Sequence, residues 1–284
     1  MHSVCGRIME EGADYVFGYG SIINNLSRKS TLQCVSDSST GADNVDHTVF
    51  ATLSAKFGYR RCWCYRSSTG FTALGLKYYG AEHEDNRCGQ NGIGGVLFLV
   101  PSAAALSAFD IREAGYRRIS VPYEYFNIAD SSDVLTTSSA KLAISAGRIW
   151  TYIPEENRTA DPDENYPLLQ TYIDTCIRGC LEWGGTSSVS EFLITTFGWN
   201  EFYLNDAPMS RRPWLHRPQY SVIDKCLEDF DYHVKFAERK HPEEFSSQHL
   251  TSLRGIIFNL LFIFLLMISN LYIPNHPQYY YDIV

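Results

Sequence analysis

The sequence predicts a mixed α+β domain, and the patterning along the chain is the main reason. Apolar, β-prone runs predominate in the first half, whereas helix-forming runs predominate in the second half. The 284 residues are 45% hydrophobic and 20% charged, which suits one large domain or one domain plus appendages. The chain shows no internal repeat, so a stacked repeat architecture is not expected.

Six runs are predicted to be strands because they are apolar and rich in β-branched and aromatic residues. In chain order they are 14–18, 47–66, 71–79, 92–100, 116–123 and 147–153. Gly58 falls inside the longest run, where it indicates a bulge or a bend. The polar segments 36–46, 82–91 and 130–141 are expected to be loops.

Two helices are predicted in the first half of the chain. One continues from the first strand over 22–32. Pro101 opens the other, as proline at the first helical position often does, and Gly115 ends it.

The second half is predicted to be mainly helical. Apolar residues recur at helical spacing over 166–183, which makes Cys176 and Cys180 core positions rather than chemical groups. Further helices are predicted over 188–197, behind a serine cap, and over 219–239.

Charge and cysteine content exclude several classes of function. The net charge of −8 and the lack of a dense basic run argue against nucleic-acid binding. Eight cysteines are too few for a disulfide scaffold in a chain of this length, and Cys62 and Cys64 are too close together for a zinc pair. Reduced, buried thiols are therefore expected, with no metal site.

The apolar stretch 255–273 contains no charged residue. As a helix it would be about 28 Å long, close to the hydrocarbon thickness of a bilayer. Basic residues lie upstream of it and none follow, so a tail anchor would keep the bulk of the chain on the cytosolic side. A buried core helix and a translated non-coding sequence remain open as alternatives. Residues 1–12 lack an apolar run, so no signal peptide is expected.

Three short motifs carry the chemical signal. Residues 17–21 read FGYGS after the first strand, 58–61 read GYRR, and 112–118 read REAGYRR after a helix. A glycine turn between a strand and a helix presents free backbone N–H groups, which suits an anion. Glu113 lies at the negative end of a helix, against local preference, which hints at a functional role.

In this order and spacing, the motifs resemble the γ-glutamylcyclotransferase superfamily over residues 14–118. FGYGS is similar to the family's Y-G-S loop, and REAGYRR is similar to its E-x-G-Y-x-R catalytic segment. The run KFGYRRCWCYR resembles the glutathione-specific ChaC-like branch. The resemblance implies a barrel-like β-sheet with flanking helices, to which the apolar C-terminal helix would be added.

The family reaction gives Glu113 the role of general acid and base. The α-amine of a γ-glutamyl compound attacks its own γ-carbonyl, closes 5-oxoproline and expels an amine, and one carboxylate can carry the protons. The resemblance implies a small-molecule γ-glutamyl substrate, preferably glutathione, which would give Cys-Gly. It implies no metal or organic cofactor.

The substrate would be held by residues of the other motifs. Its α-carboxylate would lie on the backbone N–H groups of Tyr19, Gly20, Ser21 and Ile22, aided by the Ser21 hydroxyl. The family often has Asn or Leu where this chain has Ile22, which matters little for a backbone contact.

Two further motif segments supply the remaining predicted contacts. Tyr116 is expected to hydrogen-bond the substrate or to hold Glu113. Arg60 or Arg61 is expected to meet the second carboxylate of glutathione. The other arginines beside Glu113 are expected to be secondary, as tuners of its pKa or as surface charges.

The predicted organisation is a catalytic domain over 12–215, a helical and polar connector over 216–254, the candidate anchor 255–273 and a tail over 274–284. The sequence does not indicate an oligomeric state. Two alternative functions stay open: cleavage of other γ-glutamyl amino acids or amines, and a catalytically silent binding module of the same fold held at a membrane.

Structural alternatives stay open for the individual residues. Glu113 alone could be a surface residue paired with Arg112 or Arg117. Arg60 and Arg61 could be solvated strand charges, and Tyr116 an ordinary core residue.

Overall fold

The computed structural model describes residues 12–33, 48–80, 92–128, 134–206 and 217–230. The chain divides into two units, Met1–Arg239 and Lys240–Val284, and every described residue belongs to the first. Within these described ranges, no helix combines the length and the apolar character needed to cross a bilayer. The candidate anchor 255–273 and the tail lie outside the described residues.

The described residues form a mixed α+β domain, as the sequence predicts. The strands are β1 (Asp14–Gly18), β2 (Thr48–Leu53), β3 (Tyr59–Arg66), β4 (Thr72–Tyr78), β5 (Ile93–Val100), β6 (Tyr116–Ser120), β7 (Phe126–Ile128), β8 (Arg148–Pro154), β9 (Leu168–Leu169), β10 (Thr196–Phe197) and β11 (Tyr203–Leu204). The helices are α1 (Asn25–Gln33), α2 (Ala103–Arg112), α3 (Val134–Ala146), α4 (Gln170–Ile194) and α5 (Tyr220–Phe230).

The largest sheet has six strands in the order β6-β8-β1-β5-β2-β7. β1 lies inside it, antiparallel to β5 and parallel to β8. A second sheet has the order β10-β3-β4, and β9 pairs with β11. No closed barrel forms among the described strands, so the barrel-like closure implied by the resemblance stays a prediction.

The run 47–66, predicted as one strand, is two strands in different sheets. β2 ends at Leu53, a single 3₁₀ turn follows over Ala55–Phe57, and Gly58 has φ of +85°. This left-handed conformation is one that glycine adopts without steric cost. The bend at Gly58 is therefore confirmed, but it moves the chain from one sheet to another.

The prediction of a loop over 130–141 is wrong for 134–141, which belong to α3. Serine and threonine lower helix propensity only slightly, and the later part of the segment contains good helix formers. Ile144 is buried in the core, and α3 packs against β8. The contact of α3 with the sheet through Ile144 thus outweighs the weak local preference of the first turns.

The helices predicted over 166–183 and 188–197 form one element, α4, that is broken at Gly184 and Gly185. It ends at Ile194, so the predicted end at 197 is wrong, and Thr196–Phe197 pairs with β3 as β10 instead. Gly185 has φ of +60°, which ends the first helical segment. The predicted start at 166 is wrong because Leu168–Leu169 pairs with β11 instead. Cys176 and Cys180 are buried, which confirms their place in the core.

α5 is fixed to α4 by a buried ion pair. Arg217 donates to both oxygens of Asp174, from Nε at 2.6 Å and from Nη2 at 2.9 Å. It also donates to Asp224 on α5 at 2.8 Å. Ile223 and Leu227 of α5 are buried in the same core. The helix predicted over 219–239 is confirmed for Tyr220–Phe230, and the remainder lies outside the described residues.

Candidate active site

The first and third motifs meet in one pocket. Its cavity volume is about 30 Å³, and about 320 Å³ when the open space at its mouth is included. The lining comes from β1 and the loop after it, from β4, from the junction between α2 and β6, and from β8 and α4. The lining residues are Phe17, Gly18, Tyr19, Gly20, Ser21, Ile22, Leu74, Glu113, Tyr116, Tyr152 and Tyr172.

The loop after β1 turns sharply at Gly20. Residues Ser21–Ile23 form a single 3₁₀ turn, in which Ile23 N–H donates to the Gly20 carbonyl at 3.0 Å. α1 begins only at Asn25, so the predicted continuous helix 22–32 is interrupted. In the described part of the chain, the backbone N–H groups of Gly20, Ser21 and Ile22 donate to no backbone carbonyl. These amides are therefore available to an anion.

Two buried arginines hold the carbonyl side of this loop. Arg61 Nη1 donates to the Tyr19 carbonyl at 3.2 Å. Arg28 Nη1 donates to the carbonyls of Ile22 and Ile23 at 3.0 and 3.2 Å. With these carbonyls bound from within the protein, the orientation of the loop peptides is fixed. Sequence reasoning did not identify Arg28, because its bonds to this loop are made to backbone carbonyls, which carry no side-chain signal.

Gly20 lies where a side chain would crowd the pocket. A Cβ atom at this position would lie 3.3 Å from Tyr172 Oη and 3.5 Å from Leu74 Cδ1. α4 approaches the same loop closely at Gly179, where a Cβ atom would lie 2.5 Å from the Asn24 backbone nitrogen. The glycines therefore let the loop pack against α4.

Glu113 lies at the point where α2 ends and the chain turns into β6. The Ser102 hydroxyl caps the start of α2 by accepting from Ala105 N–H at 3.1 Å. Pro101 lies before this cap, so the prediction that it is the first helical residue is wrong. Gly115 has φ of +94°, and a Cβ atom there would lie 2.4 Å from Tyr65 Oη. Only glycine can make this turn, which places Glu113 in the pocket.

The Glu113 carboxylate is shielded from water and paired with one arginine. Its side chain is 15% exposed, and Arg112 Nε donates to Oε1 at 3.1 Å. Burial raises the pKa of Glu113, and the charge and hydrogen bond of Arg112 oppose this rise. Glu113 is thus both ion-paired with Arg112 and part of the pocket lining.

The two predicted tyrosines line the pocket with hydroxyls that are bound to backbone. Tyr19 Oη donates to the Tyr152 carbonyl, and Tyr116 Oη donates to the Leu74 carbonyl, each at 2.7 Å. Burial raises the pKa of both hydroxyls well above the usual value, so both stay protonated. Each oxygen can still accept a hydrogen bond from a ligand.

Tyr152 and Tyr172 also line the pocket, although no sequence motif selects them. Tyr172 is one of the apolar positions that predict helix 166–183, and helical spacing shows burial but not what the buried ring contacts. Burial raises the pKa of Tyr172 well above its usual value. Only the packing of α4 on the loop brings it to the site.

The second motif lies beside the pocket rather than in its lining. Arg60 Nη1 donates to the carbonyls of Ala55 and Tyr59 at 3.2 and 3.1 Å. Arg61 lies in the core and holds the Tyr19 carbonyl. Both residues are buried, so the alternative of solvated strand charges is wrong. The predicted contact of Arg60 with a second substrate carboxylate stays a prediction. Among the described residues, no group of three or more His, Cys, Asp or Glu could hold a metal ion.

Comparison with known proteins gives matches to solved structures alone. No family model and no curated protein matches the chain. A γ-glutamyl cyclotransferase specific to glutathione from yeast matches at 12% identity and a TM-score of 0.37, over 78% of this chain and 99% of that chain. A second structure of that yeast enzyme matches at 15% identity and a TM-score of 0.33, over 64% and 86%.

A solution structure from Arabidopsis thaliana matches at 20% identity and a TM-score of 0.29. The match covers 51% of this chain and 64% of the Arabidopsis chain. At these identities and scores the similarity assigns no activity, and a function has to be inferred from the residues of the pocket.

Proposed function

We propose that this chain is a γ-glutamylcyclotransferase-like enzyme that releases 5-oxoproline from a γ-glutamyl substrate. Glutathione is the preferred substrate, with Cys-Gly as the second product. One observation carries the proposal: the FGYGS loop and Glu113 belong to separate motifs, yet they line the same pocket with Tyr116. The pocket therefore places the proposed anion-binding loop next to a buried carboxylate.

The reaction needs little from the protein beyond holding the substrate in a bent conformation and transferring protons. The substrate carries its own nucleophile, so attack of the α-amine on the γ-carbonyl is intramolecular. Holding the γ-glutamyl chain bent in a small pocket removes much of the entropic cost of ring closure. The C–N bond of the ring forms, and the C–N bond to the leaving amine then breaks.

One carboxylate can carry all the protons that the reaction moves between the two nitrogens. The α-ammonium loses two protons during ring closure, and the leaving nitrogen gains two as it departs as an ammonium ion. Glu113 makes this transfer twice, each time taking a proton from the first nitrogen as a base and returning it to the second as an acid. The net reaction consumes no water and requires no oxidant or reductant.

The environment of Glu113 suits this double role. A general acid and base works best when its pKa lies near the working pH, and burial raises the pKa of Glu113 toward that range. Arg112 opposes the rise, which keeps the ionised form accessible. The neighbouring buried tyrosines remain neutral and add no competing charge.

The loop amides are proposed to bind the α-carboxylate of the substrate. The N–H groups of Gly20, Ser21 and Ile22 make no backbone bond in the described structure and follow the lining strand β1. The Ser21 hydroxyl accepts from Arg112 Nη2 at 3.2 Å and can donate its own hydrogen to the carboxylate. We propose that Tyr116 accepts a hydrogen bond from the substrate, and that Arg60 meets the glycyl carboxylate of glutathione.

We propose that residues 12–215 form the catalytic domain around this site. We further propose that 216–254 connects it to an anchor over 255–273, with a tail over 274–284, so that the domain faces the cytosol. A chain with 255–284 deleted should then leave the membrane fraction while keeping its activity. A full-length chain found only in the soluble fraction would contradict the anchor.

The test of the function is release of 5-oxoproline from glutathione by the purified chain. We expect steady release by the parent and a loss of about 10²-fold or more in Glu113→Gln, which cannot carry the proton. Glu124→Gln, an exposed change outside the pocket, serves as the matched control. Product release by Glu113→Gln at the parent's rate would overturn the assignment. Turnover of other γ-glutamyl amino acids or amines in place of glutathione would overturn the substrate preference alone.

A further inference from the structure

The guanidinium of Arg112 is the centre of a hydrogen-bond network that extends beyond its ion pair with Glu113. Its Nε donates to Glu113 Oε1 at 3.1 Å, and Nη2 donates to Ser21 Oγ at 3.2 Å. On α1, Nη2 also donates to Ser27 Oγ at 2.8 Å. Nη1 donates to the Ser27 carbonyl at 2.5 Å and to Thr31 Oγ1 at 2.7 Å. The network therefore joins Glu113, the anion-binding loop and α1.

Every N–H of Arg112 has an acceptor in this network. A guanidinium has five N–H donors, one on Nε and two on each Nη, and five acceptors are present. Arg112 is therefore fully engaged by the protein and has no donor left for a substrate anion. Its side chain is only 23% exposed, which also limits contact with a ligand.

We propose that Arg112 is a positioning residue that holds the Glu113 carboxylate and assigns the proton to Oε2. The inference rests on the proposed function, since it names how the proton carrier of that reaction is oriented. Arg112 binds Oε1, whereas the described residues form no hydrogen bond with Oε2. A hydrogen bond from a guanidinium lowers the basicity of the oxygen that accepts it, so the proton binds to the other oxygen.

The same side chain fixes the distance between the two halves of the site. Ser21 and Arg112 are 91 positions apart in the chain, and their hydrogen bond ties the loop directly to the residue beside Glu113. Ser27 and Thr31 lie one helical turn apart on α1 and hold the guanidinium from the other side. A substrate whose α-carboxylate rests on the loop is then placed at a constant distance from Oε2.

Lysine cannot reproduce this arrangement. Its ammonium is a single point with three donors, whereas the guanidinium is a rigid planar fork with five. Arg112→Lys therefore keeps the positive charge but cannot bridge Glu113, Ser21 and α1 together. Arg112→Met removes both the charge and the fork. The two variants separate the electrostatic contribution of Arg112 from the geometric contribution of its guanidinium.

The other titratable groups around Glu113 do not supply a charge that opposes the rise of its pKa. Tyr19, Tyr65, Tyr116 and Tyr172 surround the carboxylate, and burial raises the pKa of each of them. All four stay neutral near pH 7. Arg158 lies beside Tyr65 and acts on that hydroxyl. Arg112 is the cation that acts directly on Glu113 in the described structure.

The experiment uses the full chain labelled with ¹³C at the glutamate carboxyl carbons. The Glu113 signal is identified by its absence in Glu113→Gln, and its pKa is read from a pH titration in the parent, Arg112→Met and Arg112→Lys. Turnover of glutathione is measured on the same samples. Arg148→Lys, which alters an exposed pair with Asp14 away from the pocket, is the matched control.

We expect the pKa of Glu113 to be higher in Arg112→Met than in the parent, because the opposing charge is gone. Its kcat should fall by about 10- to 100-fold, with the rising limb of the pH profile moved to higher pH. In Arg112→Lys we expect a smaller change in pKa but still a fall in kcat of about tenfold or more. Arg148→Lys should match the parent in both measurements.

An unchanged pKa of Glu113 in folded Arg112→Met would overturn the inference, whether or not the parent is active. A raised pKa in a chain that turns over no γ-glutamyl compound would overturn the proposed function alone. If neither Arg112 variant folds, Ser27→Ala with Thr31→Val removes support of the guanidinium and keeps both charges. Its kcat should fall, and a kcat equal to the parent's would contradict the positioning role.

Discussion

Arg61 Nη1 donates a hydrogen bond to the Tyr19 carbonyl at 3.2 Å, although the two residues are 42 positions apart in the chain. The same nitrogen donates to the Gly94 carbonyl at 2.9 Å, and Nη2 donates to Thr195 Oγ1 at 2.7 Å. The side chain is fully buried, and its guanidinium carbon lies 4.1 Å from the centre of the Phe192 ring. A residue of β3 thus fixes the loop after β1 from inside the protein.

Loss of this guanidinium should destabilise the whole domain. In Arg61→Met we expect the free energy of unfolding to fall by about 3 kcal/mol or more, because several buried acceptors lose their donor. Arg148→Met is the control, since the Arg148 side chain is 61% exposed and its pair with Asp14 is worth less than about 1 kcal/mol. Urea unfolding of the two variants measures the difference. Equal losses would show that Arg61 does not fix the loop.

The turn at Gly115 should be intolerant of any side chain. Alanine would have to adopt φ of +94° and would place its Cβ 2.4 Å from Tyr65 Oη. We expect Gly115→Ala to lower the free energy of unfolding by more than about 1 kcal/mol and to lower kcat, because Glu113 moves with the turn. Gly70→Ala is the matched control, with φ of +86° and no atom within 4 Å of the added Cβ. Thermal unfolding that shifted equally in both variants would exclude the clash with Tyr65.

A methyl group at Gly20 should weaken substrate binding more than it slows the chemistry. The added Cβ would lie 3.3 Å from Tyr172 Oη, so that hydroxyl has to shift within the pocket. We expect KM for glutathione to rise by about tenfold in Gly20→Ala, with a smaller change in kcat. In a Tyr172→Phe background the same change should cost less, because the crowded oxygen is absent. Additive effects in the double variant would contradict this contact.

The ionisation of Glu113 should make the stability of the folded domain fall as pH rises. Burial raises its pKa in the folded state above the ordinary value of 4.5. Below 4.5 both states hold the proton, and the folded state bears no penalty for a buried charge. As pH rises through the folded pKa, the unfolded state releases its proton first, so the folded state loses stability.

Glu113→Gln cannot ionise and should escape this loss. We expect its free energy of unfolding to exceed that of the parent near pH 7, with the difference shrinking as pH falls toward 4.5. Urea unfolding at several pH values measures it, and Glu124→Gln, an exposed change, should track the parent throughout. A difference that is constant with pH, or that grows on acidification, would contradict the raised pKa of Glu113.

Much of the site was predictable because its signals are local. A β-rich run followed by a glycine turn indicates where the loop after β1 lies, and Gly115 indicates where α2 has to end beside Glu113. The burial of Cys176 and Cys180 also follows from spacing along one helix. These features depend on neighbours in the chain, which the sequence displays directly.

Other features were mispredicted or missed because distant parts of the chain decide them. The run 47–66 splits between two sheets, and α3 forms over residues whose composition favours a loop. Tyr172 joins the pocket only because α4 packs on the loop, at the close approach of Gly179. Arg60 was expected at the substrate, yet its guanidinium bonds to the backbone carbonyls of Ala55 and Tyr59, which are not among the lining residues of the pocket.

Local sequence patterns are enough to predict the mixed α+β class, most strands of the first half and the placement of Glu113 at a helix end. Those properties come from side-chain periodicity, glycine turns and helix caps, which act over a few residues. The tertiary structure alone decided that Arg112 bridges Glu113 and Ser21, and that Arg28 and Arg61 fix the loop from within. A guanidinium can bond to any acceptor that folding brings within about 3 Å, so its partners depend on packing between distant segments.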